Sequence, residues 1–291
     1  METVRKNKPL IVQGWLRALL FTVVWAAVIL LSGVVLALLL RNTGKEALVG
    51  PLLVYSSLAL SAAVSIGLVW FFTVVIDKRP FASVGFNGLH NTRQGLVGFA
   101  LALLLLCCGV LVLQATKNIE WTDAGLNATD LFTGMVTMAI VAFYEELVFR
   151  GYLLGNLMES MNKWAALSIS ALLFMIAHLS NPNLSLPGAI NVFLAGLLLG
   201  INYIQTRNLW FGIAFHFAWN FIQGPVMGFD VSGLPLKSLL QHDMHGSEWL
   251  TGGAFGFEGS IVATILLLAS AITLGWIYER KYRPEALVSS P

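Results

Sequence analysis

Apolar residues run through this chain in long unbroken stretches, not in the alternating or one-faced patterns of a water-facing fold. A helix crossing the hydrocarbon core needs roughly 20 mostly apolar residues. Eight stretches approach that length: about Leu16–Leu40, Leu48–Ile76, Gln94–Thr116, Leu131–Leu157, Trp164–Leu179, Gly188–Ile204, Leu209–Met227 and Ser260–Tyr278. The pattern predicts an all-α polytopic membrane protein of about eight transmembrane helices, with any site buried in the helix bundle. The fifth and sixth stretches are short, so irregular ends are expected there. The organisation divides into three N-terminal helices within 1–130, a four-helix core within 131–227, and an outer loop plus a last helix within 228–291.

Composition supports this class. Of the 291 residues, 57% are hydrophobic and 11% charged, with mean hydropathy +0.78. Soluble domains carry about 25% charged residues, so a water-soluble enzyme and a disordered tail protein are both excluded. Lys and Arg are spread along the chain, which gives no nucleic-acid signature. Cys107 and Cys108 are adjacent within an apolar run, so there is neither a disulfide framework nor a CxxC pair.

The placement of basic residues predicts an orientation. Twelve of the 17 Lys and Arg, from Arg5, Lys6 and Lys8 to Arg280, Lys281 and Arg283, fall on one side of the spans, and Arg41, Lys45, Lys117 and Lys237 fall on the other. The positive-inside rule then puts both termini in the cytoplasm of a multi-pass protein, in the plasma membrane if the source is bacterial. The first span follows a basic stretch, but its apolar run is too long for a signal peptide and no small-x-small cleavage site follows, so it reads as a retained anchor. Gly228 to Gly259 reads as an outer loop folded against the bundle; His242 and His245 within it are three apart and are expected to be solvated more often than metal-bound.

An ionisable residue at the bilayer centre costs about 2.5–3.5 kcal/mol and is by default a functional candidate. The fourth span holds three of them: Glu145, Glu146 and Arg150. Glu146 and Arg150, four apart, share a helix face and can pair in the favourable order. Glu145 is turned about 100° away from Glu146 and has no basic partner on its helix. Phe174 and His178 stand four apart on the fifth span, and His216 and Asn220 four apart on the seventh. At about 1.5 Å per residue from the predicted cytoplasmic ends, Glu145 lies roughly 18 Å deep, His178 roughly 21 Å, His216 roughly 10 Å and Asn220 roughly 16 Å. A lone intramembrane His or Asn is ordinarily packing glue. Two Glu, one Arg, two His and one Asn at matching spacings in three spans are harder to explain that way.

Such a set suits hydrolysis. A carboxylate in a low-dielectric pocket can act as a base toward water, a role open to Glu145 with His178 holding the same water. His216 and Asn220 can donate to an oxyanion, worth about 3–4 kcal/mol for one donor. The same atoms allow a zinc site with Glu145, His178 and His216 as ligands, although the HExxH signature is absent. Buried Glu, His and Arg also build proton and ion pathways in transporters, but no repeated pair of broken helices is evident.

These residues complete three motifs, EExxxR at Glu145, Glu146 and Arg150, FxxxH at Phe174 and His178, and HxxxN at His216 and Asn220. With them the chain resembles the CPBP family of intramembrane proteases, the group of type II CAAX prenyl endopeptidases and Abi proteins, over about Met135 to Phe221. The resemblance implies a helical membrane fold with the site in a conical cavity open to the cytoplasm. It implies that Glu145 and His178 activate water, that His216 and Asn220 hold the oxyanion, and that Glu146 and Arg150 support the site, without a metal; zinc is the alternative cofactor. The implied partners are the lipid bilayer and a membrane-associated or prenylated peptide or protein substrate, while a non-catalytic immunity-type protein that keeps the motifs is the rival outcome. Oligomeric state is left open by the sequence.

Overall fold

The computed structural model describes residues 8–41, 46–86, 91–125 and 127–282. The basic residues Arg5, Lys6, Lys45 and Arg283 of the orientation argument lie outside these. Ten helices are described: α1 (Gly14–Arg41), α2 (Glu46–Phe71), α3 (Asn91–Ala115), α4 (Ala128–Glu146), α5 (Gly155–Leu157), α6 (Lys163–Ala177), α7 (Leu186–Thr206), α8 (Trp210–Phe221), α9 (Glu248–Thr251) and α10 (Ile261–Lys281). The π-helical segments Phe72–Ile76, Leu147–Leu154 and Ile222–Val226 extend α2, α4 and α8. Every predicted span coincides with a helical segment. Six of them, counting α4 to α5 as one from Ala128 to Leu157, are long and apolar enough to cross a membrane.

The other two are shorter than the predicted spans. α6 has 15 residues, about 22 Å at 1.5 Å per residue, and its Asn162 side chain caps the N-terminus. α8 passes after 12 residues into a π-helical segment that contains Pro225, whose ring nitrogen has no proton to continue the α-helical ladder.

Two corrections to the helical reading concern the end of the bundle away from the termini. Ile119–Ala124 (β1) and Leu240–Met244 (β2) pair antiparallel, with a bulge between Trp121 and Asp123. The stretch 228–259 is therefore not a plain loop, since it carries β2, α9 and short 3-10 turns. Nor is His242 solvated. Its ring packs against Phe229 and Trp121 at centroid distances of 4.6 and 5.6 Å, and both ring nitrogens are buried without a hydrogen-bond partner. His245 is exposed, with Nε2 3.6 Å from Glu120 Oε2.

At the opposite end, a buried ion network joins the start of α1, the end of α2 and the segment after α5. Arg17 and Asp77 are each 1% exposed. Arg17 pairs with Asp77 at 3.3 Å and with Glu159, Arg79 binds Asp77 at 2.7 Å and Glu159 at 2.5 Å, and Tyr152 donates to Asp77. Lys163 pairs with Glu279 at 2.5 Å nearby in the bundle, bringing the end of α10 to the start of α6. Between the ends, α8 is central and packs on α3, α4 and α7, while α7 also packs on α6 and α10. One apolar core runs from Ala18 to Tyr278.

Burial pulls the His242 imidazole below its ordinary value, against the opposing pull of Asp243 and Asp230. The folded protein thus favours the neutral ring. Its contribution is complete above the ordinary histidine value of about 6.5 and is lost as pH falls from there toward the lowered value, because the unfolded chain takes up the proton first. Asp230, whose carboxyl burial raises, acts in the opposite sense. Melting of the purified protein should show an acid-side loss of stability from about pH 6.5 downward that His242→Phe flattens. An unchanged acid limb in that variant would remove the ribbon from the explanation.

Candidate active site

The site begins where α4 stops being regular. Glu146 is the last α-helical residue and Leu147–Leu154 form a π-helical segment, all of it buried. Such wide turns within α-helices are frequent at functional sites. Glu146 and Arg150 keep the pairing that their spacing predicts, with Arg150 Nη1 donating to Glu146 Oε1 at 2.6 Å. Both are buried, at 0% and 1% exposed. Arg150 Nη2 also donates to the Gly196 carbonyl of α7 at 3.1 Å, and the guanidinium lies 4.4 Å over the Phe174 ring of α6. A desolvated cation over an aromatic face is worth about 2 kcal/mol, which gives Phe174 a physical reason to sit one turn before His178.

Glu146 reaches the third motif as well. His216 Nδ1 is 3.1 Å from Glu146 Oε1. That approach needs Gly212, one turn earlier on α8, since a Cβ there would stand 2.6 Å from Glu146 Oε2. Sequence spacing linked Glu146 to Arg150 but not to His216.

Glu145 points into a cavity of about 620 Å³ lined by Glu145, Phe174, His178, His216 and Asn220 together. Its Oε2 lies 3.8 Å from His178 Nε2 and 3.8 Å from His216 Nε2, and is buried with no hydrogen-bond partner. Its Oε1 accepts from the Tyr144 hydroxyl at 3.3 Å. His178 is the capping residue just past α6, and its Nδ1 is 2.8 Å from the Phe174 carbonyl. A carbonyl only accepts, so His178 Nδ1 carries the proton, and in that neutral tautomer Nε2 turns a lone pair to the cavity. By the same reasoning, the carboxylate of Glu146 fixes the proton of His216 on Nδ1. Asn220, 7% exposed, lies one helical turn beyond His216 on α8.

Several lining residues carry no motif. Glu258, just before α10, accepts from Trp219 Nε1 at 3.0 Å and from the Ser232 amide and hydroxyl at 3.2 and 2.9 Å. Burial pushes its carboxyl above the usual range, against the downward pull of those hydrogen bonds and of His178 and His216. Nothing local marks this residue in the sequence. Trp25 and Ile29 of α1 and Ser57 and Ser61 of α2 also line the cavity, so the first two helices contribute a wall.

Zinc would need ligand atoms at about 2.0–2.2 Å from the ion. Among the described residues no group of three His, Cys, Asp or Glu side chains is arranged as a metal site as it stands, while Glu145, His178 and His216 converge with Oε2–Nε2 separations of 3.8 Å. The loop residues His242 and His245 are not brought together with the site, being on β2 and just past it at the ribbon.

A family model described as Type II CAAX prenyl endopeptidase Rce1-like matches residues 127–222, a third of the chain. This segment, similar to that family, holds all seven motif residues. Neither the comparison with curated proteins nor that with solved structures gave a match.

Removing Glu146 strands Arg150 as a buried unpaired cation, at an expected cost of about 3–5 kcal/mol. Glu146→Ala and Arg150→Ala should each lower the melting temperature of the detergent-solubilised protein markedly. The double variant should recover part of the loss, and strictly additive effects would argue against the pair. Gly212→Ala should also destabilise, since its methyl group meets the Glu146 carboxylate.

Proposed function

We propose that this protein is an intramembrane endopeptidase in which Glu145 and His178 activate a water molecule and His216 and Asn220 stabilise the oxyanion, without a metal. The observation that carries the reading is Glu145 Oε2, buried, unpartnered and 3.8 Å from the Nε2 atoms of two histidines on one cavity wall. That separation is too long for a direct hydrogen bond and suits a bridging water.

The proton inventory supports these roles. A water between Glu145 Oε2 and His178 Nε2 meets two acceptors, so it can donate one hydrogen to each and direct a lone pair at a peptide carbonyl. Glu145 then takes the proton as the carbon–oxygen bond forms, and returns it to the leaving amine. The developing oxyanion needs donors. Asn220 offers its amide N–H, whereas His216 offers Nε2–H only as the imidazolium, since Nδ1–H is committed to Glu146. His216 stands between Glu145 and Glu146, an arrangement that suits a cation. Glu146 and Arg150 hold this scaffold and take no part in proton transfer.

The substrate is a polypeptide associated with the membrane. Both termini lie in the cytoplasm by the distribution of Lys and Arg, and the protein is an integral membrane protein with multiple spans.

Glu145→Gln and His178→Ala should each lower cleavage of a quenched membrane peptide by at least about 100-fold, the usual range for a general base, with melting temperature close to wild type. Full activity in either folded variant would sink the assignment. Asn220→Ala should lower kcat by about 100-fold or more, in line with loss of an oxyanion donor. Activity should survive chelator treatment of protein with no bound metal by elemental analysis. Loss that zinc restores would favour the metal route through Glu145, His178 and His216.

A further inference from the structure

The resemblance implies a cavity open to the cytoplasm, and the charge count places the termini there. The geometry does not allow both. The cavity lining includes Asn181, just past the end of α6, Ser232, Leu234 and Leu236 of the segment that leads into β2, and Glu258, and Leu234 among them is exposed. All belong to the end of the bundle that carries the ribbon. None of Arg17, Arg79, Glu159, Lys163 or Arg207, which mark the end with the termini, lines it.

The same two ends differ in charge. Among the described residues, Lys8, Arg17, Lys78, Arg79, Arg93, Lys163, Arg207, Arg280 and Lys281 lie at the end with the termini. Lys117, Lys237 and the helix-end residue Arg41 lie at the other. A nine-to-three excess is what the positive-inside rule reads as cytoplasmic, and it leaves the cavity rim on the exported face.

The rim is also a fixed piece of structure. Val231 and Leu234 close a tight turn through Ser232 and Gly233, both at positive φ (51° and 78°). Gly233 packs against the Pro182 carbonyl so closely that no side chain fits there. Its amide donates to the Phe255 carbonyl, and Ser232 donates twice to Glu258. The turn is thereby locked between the connection after His178 and the segment before α10.

The lining itself selects by charge. It holds two carboxylates, Glu145 and Glu258, and no Lys or Arg. Recognition of a free carboxy terminus calls for a cation or a cluster of donors beyond those that serve the reacting carbonyl; the one imidazolium of the proposed mechanism, His216, is flanked by Glu145 and Glu146, and the carboxylates of the lining repel an anion.

We propose that the cavity takes its substrate from the face opposite the termini, as a neutral or cationic stretch of an exported or membrane-spanning polypeptide, and not as the anionic carboxy terminus of a cytoplasmic protein. The inference rests on the protease reading and on the cytoplasmic placement of the termini.

Two measurements on the full chain test it. In a bacterial host, with Cys107 and Cys108 replaced by Ala, a membrane-impermeant maleimide added to sealed cells should label Leu234→Cys but label Lys281→Cys only after permeabilisation. The reverse pattern overturns the inference and leaves the protease reading intact. Purified wild-type protein should cleave a peptide amidated close after the scissile bond at least about tenfold more efficiently than its free-acid twin. Equal or reversed preference overturns the charge selection. No cleavage of either peptide defeats the protease reading and this inference with it, and is distinguishable because the labelling result stands apart from activity.

Discussion

The buried pair of Glu146 and Arg150 is the interaction on which the rest of the site depends. Neither group can stay charged in this interior unless paired, and the partners they recruit lie on α6, α7 and α8. Arg150 takes the Gly196 carbonyl from α7 and the face of Phe174 from α6, and Glu146 takes His216 Nδ1 from α8. Four elements are thereby held to one another by a single charge-neutral cluster behind the cavity wall. The pair does not enter the cavity, and its effect is to fix where His178 and His216 direct their free nitrogens.

That arrangement explains why two adjacent glutamates serve different ends. Glu146 is tied through Oε1 to a guanidinium and an imidazole, and its Oε2, also without a hydrogen-bond partner, lies against Gly212 outside the cavity lining. Its neighbour, rotated by about 100° on the helix, meets no guanidinium and directs its unpartnered Oε2 into the cavity toward both histidines. One residue of separation thus divides a carboxylate paired behind the cavity wall from one that faces the cavity. Tyr144, adjacent in sequence, donates to the other oxygen of Glu145, which restrains the carboxylate without occupying the atom that faces both histidines.

Much of this was legible in the sequence because charge is so costly in an apolar span that each instance stands out. The helical segments were legible from run length, and the spacing of Glu146 to Arg150 survived even though Leu147–Leu154 winds as a π-helix. Other features depend on residues far apart along the chain. β1 and β2 are six and five residues long and pair across more than a hundred positions, so neither has local evidence for a strand. Glu258 acquires meaning only from Trp219 and Ser232. The contact of Glu146 with His216 crosses from α4 to α8 through the space left by Gly212. His242 was misread because polar neighbours such as Asp243 suggested a wet loop, whereas the rings of Trp121 and Phe229 enclose it.

The shortage of charge that marks the chain as a membrane protein also bears on what the cavity can accept. With Lys and Arg absent from the lining, the donors that the proposed mechanism offers to a substrate carbonyl are Asn220 and, when protonated, His216. In that mechanism both serve a carbonyl oxygen that turns negative during reaction. A substrate carrying its own anion near the scissile bond would compete for these donors in the ground state, and interactions made equally in ground and transition states do not raise the rate. A neutral or cationic segment leaves them for the oxyanion alone. The acidic lining and the oxyanion donors therefore favour the same substrate for separate physical reasons, one through repulsion at entry and the other through what remains available when the tetrahedral carbon forms.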